Sequence, residues 1–264
     1  INKNIMKKIL IVSGDSFSDK HFTTMIHPEL DTSWPKWPEM LAEKLDMDCI
    51  NLASSGAGND YIYESLVDTI QSVDKDRIGL VIAAWSQSQR RSWQESKRLV
   101  LKNSIVDTKG DVFYWLKRTM RYWYSFQVLC ERYNLPYKQF QMISIFESWL
   151  NGLFPNYQET KREKVKNRLN PDPNFIERHI YPGDKTKDRV ILAKMILDYE
   201  KNINDKNFIG WPAYRPLGGY HVEQLVLRKI NGLLIEGMTI SKDDAHPTAK
   251  GQEKIMEFIY GQLA

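Results

Sequence analysis

Lys8-Ile9-Leu10-Ile11-Val12-Ser13-Gly14-Asp15-Ser16-Phe17-Ser18 is the stretch from which the fold is read. Residues 9–12 are apolar without alternation, which suits a strand buried on both faces of a parallel sheet. Gly14 and Asp15 are turn formers and end it. In an open parallel sheet the ligand crevice lies in the loops at the carboxyl ends of the strands, so Ser16 stands where chemistry is done. The competing reading is that Ser16 and Ser18 merely cap the next segment.

Outward from that strand, the pattern predicts a short helix over residues 38–45 and a second strand over 49–53. A small-residue loop (Ser54, Ser55, Gly56, Ala57, Gly58) leads to a helix opened by Asn59 and Asp60 and running to about Val73, and a third buried strand follows over 78–84. This β-α-β-α-β order implies a parallel sheet with right-handed crossovers. A Trp- and Tyr-rich helical segment spans 111–132, and a fourth strand is expected over 137–146. From Trp149 to about Asn207 the chain is polar and broken by prolines, with a helix over 188–199. Further helices are expected over 222–234 and, amphipathically, over 248–262. The fold class is therefore α/β, a flavodoxin-like three-layer α/β/α domain with a central parallel sheet. One domain covers 1–264, with a large helical and loop insertion at roughly 90–220 that the strand at 137–146 interrupts.

The 264 residues are 42% hydrophobic and 27% charged, enough for one sizeable core, which excludes a disordered chain or a disulfide-stapled miniature fold. Lys plus Arg number 37 against 33 for Asp plus Glu, a formal charge of +4, too mild to mark a phosphate-tracking protein. Cys49 and Cys130 lie far apart in apolar surroundings and read as reduced thiols, and residues 9–12 are too short for a signal-peptide core; a cytoplasmic protein without a membrane span is expected. The residues before Met6 read as a leader remnant. His21, His27, His179 and His221 show no metal-ligand spacing, and no dinucleotide or phosphate-loop motif occurs, so neither metal nor cofactor is expected.

Near the other end, Asp243-x-x-His246-Pro247 sets a carboxylate three residues before an imidazole. Such a carboxylate can fix the ring's tautomer and leave the other nitrogen to deprotonate Ser16; a solvated surface pair is the plainer alternative. With Gly14-Asp15-Ser16-Phe17-Ser18 at one end and Asp243-x-x-His246 at the other, the sequence resembles the SGNH hydrolases, also called the GDSL-like esterase family. Pro247 and Gly251 look like the family's continuation.

The resemblance implies a Ser16-His246-Asp243 triad and an acyl-enzyme, with the Ser16 N–H as one oxyanion donor. Asn51-Leu52-Ala53-Ser54-Ser55-Gly56 resembles the second family block and makes the Gly56 N–H another donor, although Gly56 also suits a tight loop. The third block departs from the family's Gly-x-Asn-Asp: this chain reads Ala84-Trp85-Ser86-Gln87-Ser88, so that Gln87 stands at the Asn position. Its amide reaches one methylene further, with Asn59 or Ser86 as other sources of the bond.

Arg90 and Arg91 follow at the crevice mouth, where they hold an anionic substrate or anchor the loop; Asn59 and Arg90 are the candidate substrate contacts. The rings and cations of Tyr114, Trp115, Lys117, Arg118, Arg121, Tyr122, Trp123 and Tyr124 suit a helical core first, a sugar-facing lid second and nucleic acid third. The expected activity is hydrolysis of small acyl esters, including O-acetyl groups on carbohydrates. The alternatives are a binding module that has kept the fold or an O-acyltransferase using the same triad. By analogy alone, the chain also looks like compact members carried by bacteriophages.

Overall fold

A computed structural model describes residues 6–95, 100–106, 112–145, 185–228 and 233–263. In chain order the elements are β1 (Ile9–Ser13), α1 (Trp37–Lys44), β2 (Asp48–Asn51), α2 (Asn59–Ser72), β3 (Ile78–Trp85), β4 (Arg90–Glu95) and β5 (Val100–Val106). They continue with α3 (Val112–Arg132), β6 (Tyr137–Gln141), α4 (Lys185–Leu197), β7 (Phe208–Ile209), α5 (Val222–Leu227) and α6 (Ala249–Gly261).

Five strands pair in parallel in the order β2-β1-β3-β6-β7, the flavodoxin-like arrangement expected from the sequence. The order reverses at β1: the chain leaves it toward β2 and returns on the other side as β3. That switch point opens a crevice beyond the carboxyl ends of β1 and β3.

Because successive strand residues face opposite ways, the apolar runs supply two cores. Ile9, Ile11, Val81 and Ala83 pack with Ile62, Leu66 and Ile70 of α2 and with Trp115, Trp123 and Phe126 of α3. On the other face Leu10, Val12, Ile82 and Ala84 meet Trp37 and Leu41 of α1 and Ile255, Met256 and Ile259 of α6. The aromatic helix α3 is thus anchored by its tryptophans, with Trp123 edge-on to Phe208 at 5.0 Å, while Tyr114 and Tyr124 stay exposed.

The range read as an insertion, roughly 90–220, supplies β6 and β7 to the sheet and α3 and α4 to one face; residues 146–184 lie outside the described residues. The antiparallel hairpin β4-β5 has no counterpart in the sequence reading. Arg90-Arg91-Ser92-Trp93-Gln94-Glu95 carries no alternating apolar face, the signal from which half-buried strands are read. The strand expected over 137–146 ends at Gln141, and the helix expected over 222–234 ends at Leu227, after which Arg228 is extended. Nor does Asn59 cap α2: Gly58 holds the N-cap without a side-chain bond, and Asn59 is used elsewhere.

Both cysteines are free. Burial, aided by Glu39, pushes the Cys49 thiol up to about 12, and burial raises Cys130 as well. Little thiolate therefore exists at pH 8, and we expect iodoacetamide to modify both slowly in buffer and rapidly in denaturant, as followed by intact mass. Among the described residues no helix is long and apolar enough to cross a membrane.

Candidate active site

Ser16 sits in a turn directly after β1. The Ser18 N–H donates to the Asp15 carbonyl at 2.9 Å, and the Phe17 N–H donates to Asp15 Oδ1 at 3.1 Å. Gly14 permits a close approach: a Cβ there would lie 2.8 Å from Ser18 Oγ and 3.1 Å from the Ala84 Cβ, so that Ser18 would have to shift. Trp37 Nε1–H donates to Ser18 Oγ at 2.9 Å, tying the turn to α1.

The C-terminal segment is brought to this turn by a small clip. The Ile240 N–H donates to the His246 carbonyl at 2.9 Å and the Thr248 N–H to the Met238 carbonyl at 3.1 Å, and Thr248 then caps α6 by accepting from the Gly251 N–H. Gln252, in the first turn of α6, donates to the Phe17 carbonyl and accepts from the Trp37 N–H, both at 3.0 Å. Residues far apart in sequence are thereby locked together, and His246 Nε2 lies 2.8 Å from Ser16 Oγ. Phe22 stacks on the imidazole with ring centroids 4.2 Å apart, and Phe17 lies at 5.1 Å.

The carboxylate behind the ring is Asp244, not Asp243: Asp244 Oδ1 is 2.5 Å from His246 Nδ1 and also accepts the His246 N–H at 3.1 Å. Asp244 is buried, whereas Asp243 is exposed. The Asp243 and Asp244 N–H groups both donate to Ser241 Oγ, a turn that sends the first carboxylate to solvent and the second inward. An ionised carboxylate only accepts, so the proton of the short contact belongs to Nδ1. Nε2 then carries the lone pair, and the Ser16 hydroxyl donates to it.

Burial pushes the Asp244 carboxyl up, but hydrogen bonds from His246 and Thr24 and attraction to the imidazole outweigh it, taking it from 3.8 to about 2. A folded-state value below the unfolded one means that this group's stabilisation is complete above about pH 4 and disappears as pH falls toward 2. In urea melts we accordingly expect the stability gap between wild type and Asp244→Asn to be widest near neutrality and to close between pH 4 and 2.

The loops after β2 and β3 complete the crevice. Asp19 Oδ2 accepts from the Ser55 N–H at 2.8 Å and the Ser55 hydroxyl at 2.6 Å, while the Ser54 N–H donates to the Gly14 carbonyl at 3.1 Å. Gly56 holds φ +77°, a left-handed conformation that a side chain would strain. Asn59 does not face the crevice as a substrate contact. It is buried, donating to the Ser86 carbonyl and Thr119 Oγ1 at 3.1 Å and accepting the Ser86 N–H at 2.8 Å. Arg90 likewise serves the scaffold: its Nη1 donates to Ser86 Oγ at 2.8 Å and lies 3.3 Å from Asp15 Oδ2. Gln87 is half-buried, and its Oε1 accepts from Gln89 Nε2 at 2.9 Å.

No known protein family matches the chain in sequence, and no curated protein does. Among solved structures, a protein from Desulfitobacterium hafniense described as a lipolytic member of the G-D-S-L family matches with a TM-score of 0.50 at 12% identity, covering 97% of this chain and 99% of that one. The chain has an SGNH-hydrolase-like fold. The esterase EstA of a Pseudoalteromonas species (TM-score 0.47, 11% identity, 97% and 96% covered) and TesA (0.47, 15%, 97% and 98%) are also similar.

On this SGNH-like fold the structure brings Ser16 and His246 together and adds Asp244, Thr24 and Phe22, which the sequence reading passed over. The doubled Asp243-Asp244 was the available signal for the first; nothing in the local pattern marks the other two. Beyond the β3–β4 turn, a cavity of about 390 Å³ is lined by Asp60, Glu64, Arg91, Arg118, Tyr114 and Tyr122. Arg118 joins it to the crevice loops by donating to the Ser88 and Arg90 carbonyls at 3.1 and 3.2 Å. Among the described residues no group of three or more His, Cys, Asp or Glu could hold a metal ion.

Proposed function

We propose that the protein is a serine ester hydrolase. The observation that carries this reading is the Ser16 hydroxyl 2.8 Å from His246 Nε2, with Asp244 2.5 Å from the other ring nitrogen, at the switch point of the sheet. Ser16 Oγ attacks the ester carbonyl carbon while His246 Nε2 takes its proton. The C–O bond to the alcohol breaks and the alcohol leaves with that proton. Water, deprotonated by the same nitrogen, then releases the acid and restores Ser16. Asp244 holds the imidazole in its Nδ1–H tautomer and stabilises the imidazolium. The Ser16 and Gly56 N–H groups hold the oxyanion, with the Gln87 NH₂ as third donor.

Small acyl esters fit so enclosed a nucleophile, which is 7% exposed. The cavity that Arg118 ties to the crevice loops carries two phenol rings on which a sugar can pack, which is compatible with O-acetyl groups on carbohydrates as substrates. A fluorophosphonate probe is expected to label the wild-type chain at Ser16 and to leave Ser16→Ala unlabelled by mass spectrometry. A folded wild-type protein that stays unlabelled beside a reactive serine esterase would reject the hydrolase in favour of a binding module.

A further inference from the structure

Thr24 belongs to the loop between β1 and α1, 220 positions from Asp244, yet its buried hydroxyl donates to Asp244 Oδ2. The direction of that bond is fixed. A hydroxyl has one hydrogen and two lone pairs. Thr24 Oγ1 accepts from the Ile26 N–H at 3.1 Å and the His27 N–H at 3.3 Å, and backbone N–H groups cannot reverse their roles. Both lone-pair directions are used, so the hydrogen is committed to Asp244.

Three donors then hold one carboxylate: Thr24 on Oδ2, and the His246 N–H and Nδ1–H on Oδ1. Tilting the carboxylate plane away from this orientation would strain all three. The same loop lays Phe22 on the imidazole, and His27 Nε2 lies 2.9 Å from Ser241 Oγ, the group that organises the Asp243-Asp244 turn. Acid and base are thus gripped by one loop from the opposite end of the chain.

We propose that Thr24 is a positioning residue of the Ser16-His246-Asp244 site, holding through its hydroxyl the plane and position of the carboxylate that faces the imidazole. This rests on the hydrolase reading above. The hydrogen bonds that hold the Asp244 carboxyl low include the one from Thr24, which agrees with a donor matched to the ionised acid. A hydrogen bond to a charged group is strong enough that its loss costs about 10- to 100-fold when it acts only on the geometry of reaction. Thr24 is buried and its hydroxyl is spent on Asp244, Ile26 and His27, so the loss is expected in kcat and not in KM.

The test uses the full chain, with p-nitrophenyl acetate as substrate, and compares wild type, Thr24→Val, Thr24→Ser and Ser16→Ala. Valine keeps the shape of threonine without its hydroxyl; serine keeps the hydroxyl. Thr24→Val is expected to lower kcat about 10- to 100-fold with KM within about twofold, and Thr24→Ser to return kcat to within about threefold of wild type. The downfield proton resonance of the His246 Nδ1–H is expected in wild type and Thr24→Ser and to be shifted or broadened in Thr24→Val. Wild-type kcat in Thr24→Val, or a loss that serine does not rescue, overturns the proposal. Should Thr24→Val fail to fold, Thr24→Cys, with a weaker donor at the same place, is expected about 3- to 10-fold below wild type, and an unchanged kcat there overturns it equally. If Ser16→Ala retains the wild-type rate, the hydrolase reading falls and this proposal with it. If Ser16→Ala is inactive and Thr24→Val is not impaired, only the role of Thr24 falls.

Discussion

Asp244→Asn is expected to lower kcat about 10⁴-fold, and Ser16→Ala about 10⁶-fold, while Asp243→Asn stays within about twofold of wild type. The contrast follows from direction and burial. Asp244 is 2% exposed and accepts a proton-bearing Nδ1 at 2.5 Å. An Asn there can turn its NH₂ toward the ring and favour the tautomer with the proton on Nε2, where the nucleophile must deliver its own. Asp243 faces water, so neutralising it removes a screened charge and no contact with the imidazole. Turnover of p-nitrophenyl acetate by the three variants, each checked for an intact thermal transition, decides the matter. Equal losses in the two aspartate variants would mean that the turn rearranges in solution, and a larger loss in Asp243→Asn would return the role to the residue that family spacing suggests.

The error over Asp243 shows where legibility stopped. Residues 9–12 and 78–84 read as buried strands because their apolar residues do not alternate, and the turn formers Gly14 and Asp15 mark the carboxyl end of the first. Those signals are local, and they placed the parallel sheet of the α/β fold. Which of two adjacent aspartates turns inward depends instead on Ser241 Oγ gathering both N–H groups, and on Thr24, a partner from the far end of the chain. Pairings of that kind leave no periodicity. Asn59 was misplaced for a similar reason: its residue type suits a cap, but its amide is satisfied by the Ser86 backbone across the crevice. The two-residue strand β7 is too short to carry any pattern and exists because β6 offers it an edge.

Arg90→Met is expected to destabilise the protein by about 3 kcal/mol, a fall of roughly 6–12 °C in Tm for a chain of this size. Asp15 is fully buried beneath the nucleophile turn, and its Oδ2 faces the Arg90 guanidinium at 3.3 Å and accepts from the Ser86 hydroxyl at 2.9 Å. Removing the cation leaves a buried carboxylate with hydrogen bonds from Ser86 and the Phe17 N–H but without a compensating charge. Removing both charges, as Asp15→Asn with Arg90→Met, eliminates that penalty, so the double variant is expected to be more stable than Arg90→Met alone. Thermal melts of the two single variants and the double variant give the coupling directly. If Arg90 instead holds an anionic substrate, Arg90→Met will melt within about 1 °C of wild type and the variant will show its effect in KM. The two roles predict opposite pairs of readouts because removing a guanidinium that compensates Asp15 leaves a buried charge unpaired and lowers stability, whereas removing a substrate contact alters binding and leaves the fold intact.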